Sequence, residues 1–351
     1  MGFDHTHYVP VLRWKRGERG GLRQLYAEDR LGMTPLIELI PKNLGSSGNQ
    51  FGEIADNIER DWGNAPLFVD PWLLSPSLGS AGLASVFERL AQEFHARSLS
   101  TILVTWVGHS PSCQRAVASA AEVDCRGACI RLTPRDIRRR TFPEDLQALV
   151  TRLGLRPHGT DLVVDCQLID QSTPAIEYLS ARIPELACWR TFTVLAGAFP
   201  KDLSQLQRND QHLLPRRDWL AWRDQVLVEP RLARRPTFGD YTIQHAHYSE
   251  PPRRPHYSAS IRYTCSEDWL IMRGESVFND EGPGFAQWPA NAQLLCDRPE
   301  FCGADFSYGD SYIRQMSLQT EKPGNAETWL RAGFNHHLTL VVRQIANLFG
   351  T

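Results

Sequence analysis

The sequence predicts an α/β fold, a (β/α)8 TIM-like barrel with a C-terminal α+β appendage, and three observations carry that expectation. Short apolar runs alternate with helical stretches about eight times between residues 8 and 243. The runs are continuously apolar rather than alternating, as parallel strands buried on both faces require. Beyond residue 247 the pattern changes to shorter, alternating segments, so residues 1–247 read as the barrel and 248–351 as the appendage.

The first run, Tyr8–Trp14, delivers Lys15, Arg16 and Glu18 to its end. Gly20–Tyr26 has helical spacing, and Thr34–Pro41 is a second run enclosing Glu38. Gly45–Gly52, rich in Gly and Ser, reads as a loop before a helix over Glu53–Trp62. Pro66–Trp72 is the third strand, with Asp70 near its end, and Ala84–Ala96 an amphipathic helix. Ser100–Val107 is the fourth strand, followed by Gly108 and His109, and Gln114–Ala121 is helical. Gly127–Thr133 makes a fifth strand carrying Arg131, and a helix then begins at Thr141, with Pro143 and Glu144 in its first turn. The sixth strand, Thr160–Ile169, holds Asp165 inside it and Asp170 just after it, and Ser172–Ile183 is the helix that follows. Thr191–Ala198 is the seventh strand, ahead of Lys201; Asp218–Val226 is helical and Thr237–Ile243 is the eighth strand. A doubly wound open α/β sheet is the alternative. It would be expected to carry a Gly-rich phosphate loop, and neither GxGxxG nor GxxxxGK[ST] follows any run.

In the appendage, Pro251–Pro255 is a rigid, basic, extended segment. Ser258–Thr264 and Trp269–Gly274 alternate as two antiparallel strands, Glu281–Gly284 and Phe301–Asp310 are turn-rich loops, and Ala326–Phe349 is a closing helix.

Composition narrows the function classes. A formal net charge of -2 and a pI near 6.6 argue against generic nucleic-acid binding. The densest basic stretch, Arg131–Arg140, reads first as a solvated helix start. Eight Cys occur without a CxxC pair, several inside apolar runs where Cys behaves as a small hydrophobe. Met1–His7 is polar and no apolar run approaches the roughly 18 residues a membrane span needs, so a reduced cytoplasm and no membrane are expected.

Several stretches are familiar together and in order: YVPVLRWKRGE, TPLIELIP, PTFGDY, the IRYT and WLIMRG pair, and GFNHHLTLVVRQI. They resemble the phage-associated Beta protein family, whose members occur in bacteria and on mobile elements. The resemblance spans nearly the whole chain. It implies an association with prophages and antiphage-defence neighbourhoods, and it transfers no catalytic residues.

In a barrel, groups at strand C-termini face the mouth that hosts active sites. That position selects Lys15, Glu38, Asp70 and Asp165 as catalytic candidates, and Arg16, Arg131 and Lys201 as ligand-binding ones. Acids and bases converging there suit acid/base chemistry, a divalent metal held by carboxylates, or an anionic ligand held by Lys15 and Arg131. Glu38 inside an apolar run has a structural reading as well, a buried ion pair with Lys15 or Arg131. His336 and His337, beside Asn335, form a polar patch ahead of an apolar run and are read as a ligand contact covering the mouth. The other His pairs lack zinc spacing, Gly-x-Ser-x-Gly is absent, and Cys166 reads as strand packing.

Two functions follow from this reading. One is a mobile-element or antiphage-defence barrel protein that binds a phosphorylated or nucleotide-like ligand at its mouth and hydrolyses it. The other is a non-catalytic protein that uses the appendage to bind a protein or nucleic-acid partner. The first expects the charged groups in an open polar pocket; the second expects them paired and closed over.

Overall fold

The computed structural model describes residues 2–45, 48–229, 232–250, 258–278, 283–319 and 322–350. The polypeptide divides into two units: residues 1–14, 33–196 and 218–240, and residues 15–32, 197–217 and 241–351.

The first unit is a closed parallel barrel of eight strands. Strands β1 (Tyr8–Arg13), β2 (Leu36–Glu38), β3 (Leu67–Asp70), β4 (Thr101–Trp106), β5 (Ala128–Leu132), β6 (Thr160–Leu168) and β7 (Thr191–Gly197) follow one another round the barrel. After β8 (Asp210–Pro215), which belongs to another sheet, β9 (Thr237–Asp240) pairs with both β7 and β1 and closes the circle. Every residue of β1 to β5 and of β7 is buried, which is why these runs carry no polar alternation. The open-sheet alternative is thereby set aside.

The helices are α1 (Arg16–Arg23), α2 (Ala27–Leu31), α3 (Gln50–Asp61), α4 (Ser75–Ala96), α5 (Pro111–Asp124), α6 (Pro134–Ile137), α7 (Phe142–Arg152), α8 (Ile176–Arg182) and α9 (Arg217–Val228), then α10 (Gln287–Cys296), α11 (Tyr308–Ser317) and α12 (Ala326–Phe349). Those after the barrel strands start on local signals. Ser110 caps α5 by accepting from the Cys113 N–H, with Pro111 in the first turn. Thr133 and Asp136 form a capping box on α6. Leu83, Phe87, Leu90 and Phe94 are the buried stripe of α4.

The second unit contains an antiparallel sheet in the order β10 (Ile261–Thr264), β11 (Asp268–Arg273), β8. Its core gathers Tyr263, Trp288, Ile313, Met316 and Trp329. Helix α12 packs closely on α1 and α11 because glycines stand at the crossings: a Cβ on Gly309 would lie 2.2 Å from the Ala332 carbonyl oxygen, and one on Gly21 2.8 Å from the Phe334 Cβ.

Several local expectations are corrected. The first helix begins at Arg16, not Gly20, so the chain turns immediately after Lys15. The stretches read as turn-rich loops lead into α10 and α11. Strand β8 carries a pattern of exposed and half-buried residues that gives no apolar run to detect. The basic segment Pro251–Pro255 and residues 281–282 lie outside the described residues.

Candidate functional site at the C-terminal end of the barrel

Strand register assembles the site. Arg13 pairs with Glu38, and Glu38 with Asp70, so the last residues of β1, β2 and β3 form one row. Residues in register on parallel strands share a face, and those two further along share it too. Trp106 is in register with Arg131, and Arg131 with Val163, which places Asp165 on the same face one pleat further along β6.

The Arg131 guanidinium is the centre of the cluster. Its Nη1 donates to Asp70 Oδ2 at 2.7 Å and lies 3.0 Å from Glu38 Oε1; its Nη2 donates to Asp165 Oδ2 at 2.8 Å. Arg13 Nε approaches Glu38 Oε2 at 3.6 Å. Glu38 is 5% exposed, Arg131 2%, and Asp70 and Asp165 0%, so the cluster is paired and closed over, where the ligand-binding reading of the sequence expected an open polar pocket. Three carboxylates face two guanidiniums, leaving it one negative charge out of balance when all are ionised. Burial pushes the Glu38 carboxyl above its ordinary range; Arg131 and Arg13 oppose that, while Asp70 and Asp165 add to it. Glu38 is therefore the member suited to carry a proton.

Asp70 and Asp165 make further hydrogen bonds to neighbours, whereas Glu38 Oε2 is buried without a hydrogen-bond partner. Asp70 Oδ1 accepts from the Trp72 backbone N–H at 2.9 Å, and Oδ2 from Trp106 Nε1 at 3.2 Å. Asp165 Oδ1 accepts from the Gln167 N–H at 2.8 Å, with Gln167 in the left-handed region at φ 55°. The Arg131 guanidinium lies over the Trp106 ring, 4.9 Å from its centroid. His109 packs beside this group, and burial lowers it to about 4 against the opposing charge of Asp70, so its ring is neutral near pH 7.

Four of the residues selected from sequence thus come together: Glu38, Asp70, Asp165 and Arg131. Arg131 is a buried strand residue, separate from the exposed Arg135, Arg138, Arg139 and Arg140 after it. The other five belong to the second unit. Lys15 is the N-cap of α1, with its Nζ 5.3 Å from the Tyr248 ring centroid, and the cations facing Glu38 in the barrel unit are Arg131 and Arg13. Arg16 has an 83% exposed side chain, 3.6 Å from Glu327, and Lys201 is exposed. His336 and His337 are fully buried: His336 contacts Asp310 at 2.8 Å and the Thr264 carbonyl at 2.7 Å, and His337 contacts the Thr264 hydroxyl at 2.9 Å. Arg13 and Trp106 belong to the site and were not among the residues selected from sequence. Arg13 carried the same signal as Glu38, a charge inside an apolar run, but only the register shows that the two meet.

No grouping of three or more His, Cys, Asp or Glu side chains placed to hold a metal ion occurs among the described residues. The carboxylates of the cluster face Arg131 instead.

The fold and the cluster define an eight-stranded α/β barrel protein with a buried cluster of three carboxylates and two guanidiniums towards the strand C-termini. The chain belongs to the Beta protein family, whose model matches residues 8–343. No match is found among curated proteins. Among solved structures the chain is similar to the YdjI aldolase from Escherichia coli K12, at 7% identity over 97% of this chain and 91% of that one, with a TM-score of 0.38. It is also similar to tryptophan synthase from M. tuberculosis in its aminoacrylate-bound form, at 11% identity over 67% and 83% of the two chains, with a TM-score of 0.35. These likenesses carry no functional argument; the barrel rests on its own strand order.

Proposed function

We propose that the C-terminal end of the barrel is an acid/base site that binds a nucleotide-like ligand and hydrolyses it, with Glu38 as the proton-transfer group. The observation that carries this reading is the convergence of Glu38, Asp70 and Asp165 on Arg131 at the end of the barrel where such folds keep their chemistry. A barrel core needs no charge there, and burying five ionic groups is costly unless something is gained. Asp70 and Asp165 orient Arg131, and Arg131 with Arg13 holds the Glu38 carboxyl in place. Because the cluster is balanced with Glu38 protonated and net negative with Glu38 ionised, a phosphate has no attraction to it as a whole, so the reading assigns it the uncharged part of the ligand. The family resemblance supports a mobile-element or antiphage-defence setting. No helix among the described residues is long and apolar enough to cross a membrane, and a cytoplasmic site of action is part of the same proposal.

The test is a panel of nucleoside phosphates offered to the full chain and to Glu38→Gln, with product followed by chromatography. At least one member should be turned over, and the substitution should lower that rate by about 10²-fold or more. Turnover unaffected by Glu38→Gln, or no turnover of any member, would contradict the proposal.

A second reading is favoured by one observation: the cluster is paired and closed over, with Arg131 held by three carboxylates. On that reading the barrel is a non-catalytic scaffold whose second unit binds a protein or nucleic-acid partner. Glu38→Gln would then leave every cellular phenotype intact.

A further inference from the structure

Trp72 occupies a slot made by other aromatic rings of the barrel unit. Its ring lies 5.3 Å from Trp106 at an interplanar angle of 28° and 5.2 Å from His109 at 42°, yet Trp72 remains 38% exposed. His109 is 6% exposed, and its hydrogen bonding is lopsided. Nδ1 accepts from the Trp106 backbone N–H at 3.2 Å, a group that can only donate, so the proton of the neutral ring is on Nε2. That Nε2 is buried and has no hydrogen-bond partner. Phe87 and Trp72, whose rings pack on the His109 imidazole, offer no acceptor, because a phenyl ring has none and an indole nitrogen only donates. His109 Nε2 shares that condition with other buried donors of the chain, such as Trp269 Nε1 and Trp288 Nε1, but is set apart by lying in a ring that packs on the partly exposed Trp72.

The backbone of Trp72 is anchored, its N–H donating to Asp70 Oδ1 and Leu74 two residues on being fully buried, so exchange of the slot's occupant needs only rotation of the partly exposed Trp72 side chain. Trp72 opens a single 3₁₀ turn, Trp72–Leu74, and the helix after it breaks at Gly79 (φ 64°, ψ -177°), where an added Cβ would meet nothing within 4 Å.

We propose that Trp72 swings out and that a planar heteroaromatic ring bearing a hydrogen-bond acceptor, of the nucleobase class, takes its place against Trp106 and accepts from His109 Nε2–H. The proposal rests on the reading of this end of the barrel as the site of a nucleotide-like ligand, and it names the part of that ligand the site recognises. Trp72 is then a built-in competitor that keeps the slot dry when empty. The adjoining carboxylates explain why the uncharged base, and not the phosphate, lies at this end.

The test uses the full chain and three probes in calorimetric titrations: adenine, indole and ribose 5-phosphate. Adenine should bind, and Trp72→Ala, which removes the competing ring, should tighten adenine binding by about tenfold. Indole has the same shape without an acceptor, and should bind the unmodified protein about tenfold or more weaker than adenine. Acrylamide quenching should show an indole side chain becoming more accessible as adenine binds, and Trp72→Phe should remove that change. Weaker adenine binding by Trp72→Ala, or indole binding as tightly as adenine, would overturn the inference. Binding of ribose 5-phosphate with no binding of adenine would overturn it while leaving the nucleotide-like reading standing. If neither binds, both fall. The indole comparison in the unmodified protein keeps the result decisive if Trp72→Ala folds poorly.

Discussion

Glu38 and Arg131 have opposite roles in one cluster, and substitution separates them. Arg131 compensates buried negative charge, so Arg131→Met leaves carboxylates that are at most 5% exposed without their main partner. A loss of about 3–5 kcal/mol in urea unfolding is expected. Glu38 behaves differently. Its carboxyl keeps its proton above the ordinary 4.5, so the folded chain binds more protons than the unfolded one between those two values. Its contribution to stability is full below about 4.5 and declines as pH rises through the folded value. His109 runs the other way. Burial lowers it from 6.5 to about 4, so its neutral ring favours the fold above pH 6.5 and opposes it progressively as pH falls towards 4. His109→Gln should recover up to roughly 3 kcal/mol of the stability lost on acidification across that window, measured by denaturant titrations at each pH.

At the scale of elements, Asn335 joins α1, α11 and α12. Its amide donates to the Gly21 carbonyl at 3.0 Å and accepts from the Gly309 N–H at 2.8 Å, with the residue fully buried. Asn335→Leu should cost about 1–3 kcal/mol for each backbone group left unpaired, read from the melting curve and from faster amide exchange in α11. Next to it, Asp310 accepts from Tyr263, Ser307 and His336. Burial raises the Asp310 carboxyl, but the His336 charge and these hydrogen bonds outweigh it and hold it below its usual range. The three residues Asn335, His336 and His337 were visible in sequence only as a polar patch. Their partners, Gly21, Thr264 and Asp310, lie 26 or more positions away, so neither spacing nor composition could show that α12 turns all three inward.

For the molecule as a whole, what could be read in advance depended on how far apart the cooperating residues stand. Each barrel strand is a local apolar run, so the eight strands and their order were legible. Strand β8 was not, because it exposes much of its length, and α10 and most of α11 follow the stretches read as turn-rich loops. Position at a strand end was enough to select Glu38, Asp70, Arg131 and Asp165. It also selected Lys15, which stands in the second unit where the chain enters α1 at once, and it missed Arg13, whose meeting with Glu38 depends on register. The central claim is that this charged cluster is kept for chemistry and not for stability. The most direct test is the melting temperature of Glu38→Gln against the unmodified chain at pH 7 to 8. An unchanged or higher value is expected, since the substitution replaces a carboxyl whose ionised form the cluster does not fully compensate with a neutral amide of the same shape. A fall of several degrees would show that the Glu38 carboxylate holds the barrel together, and would contradict the account.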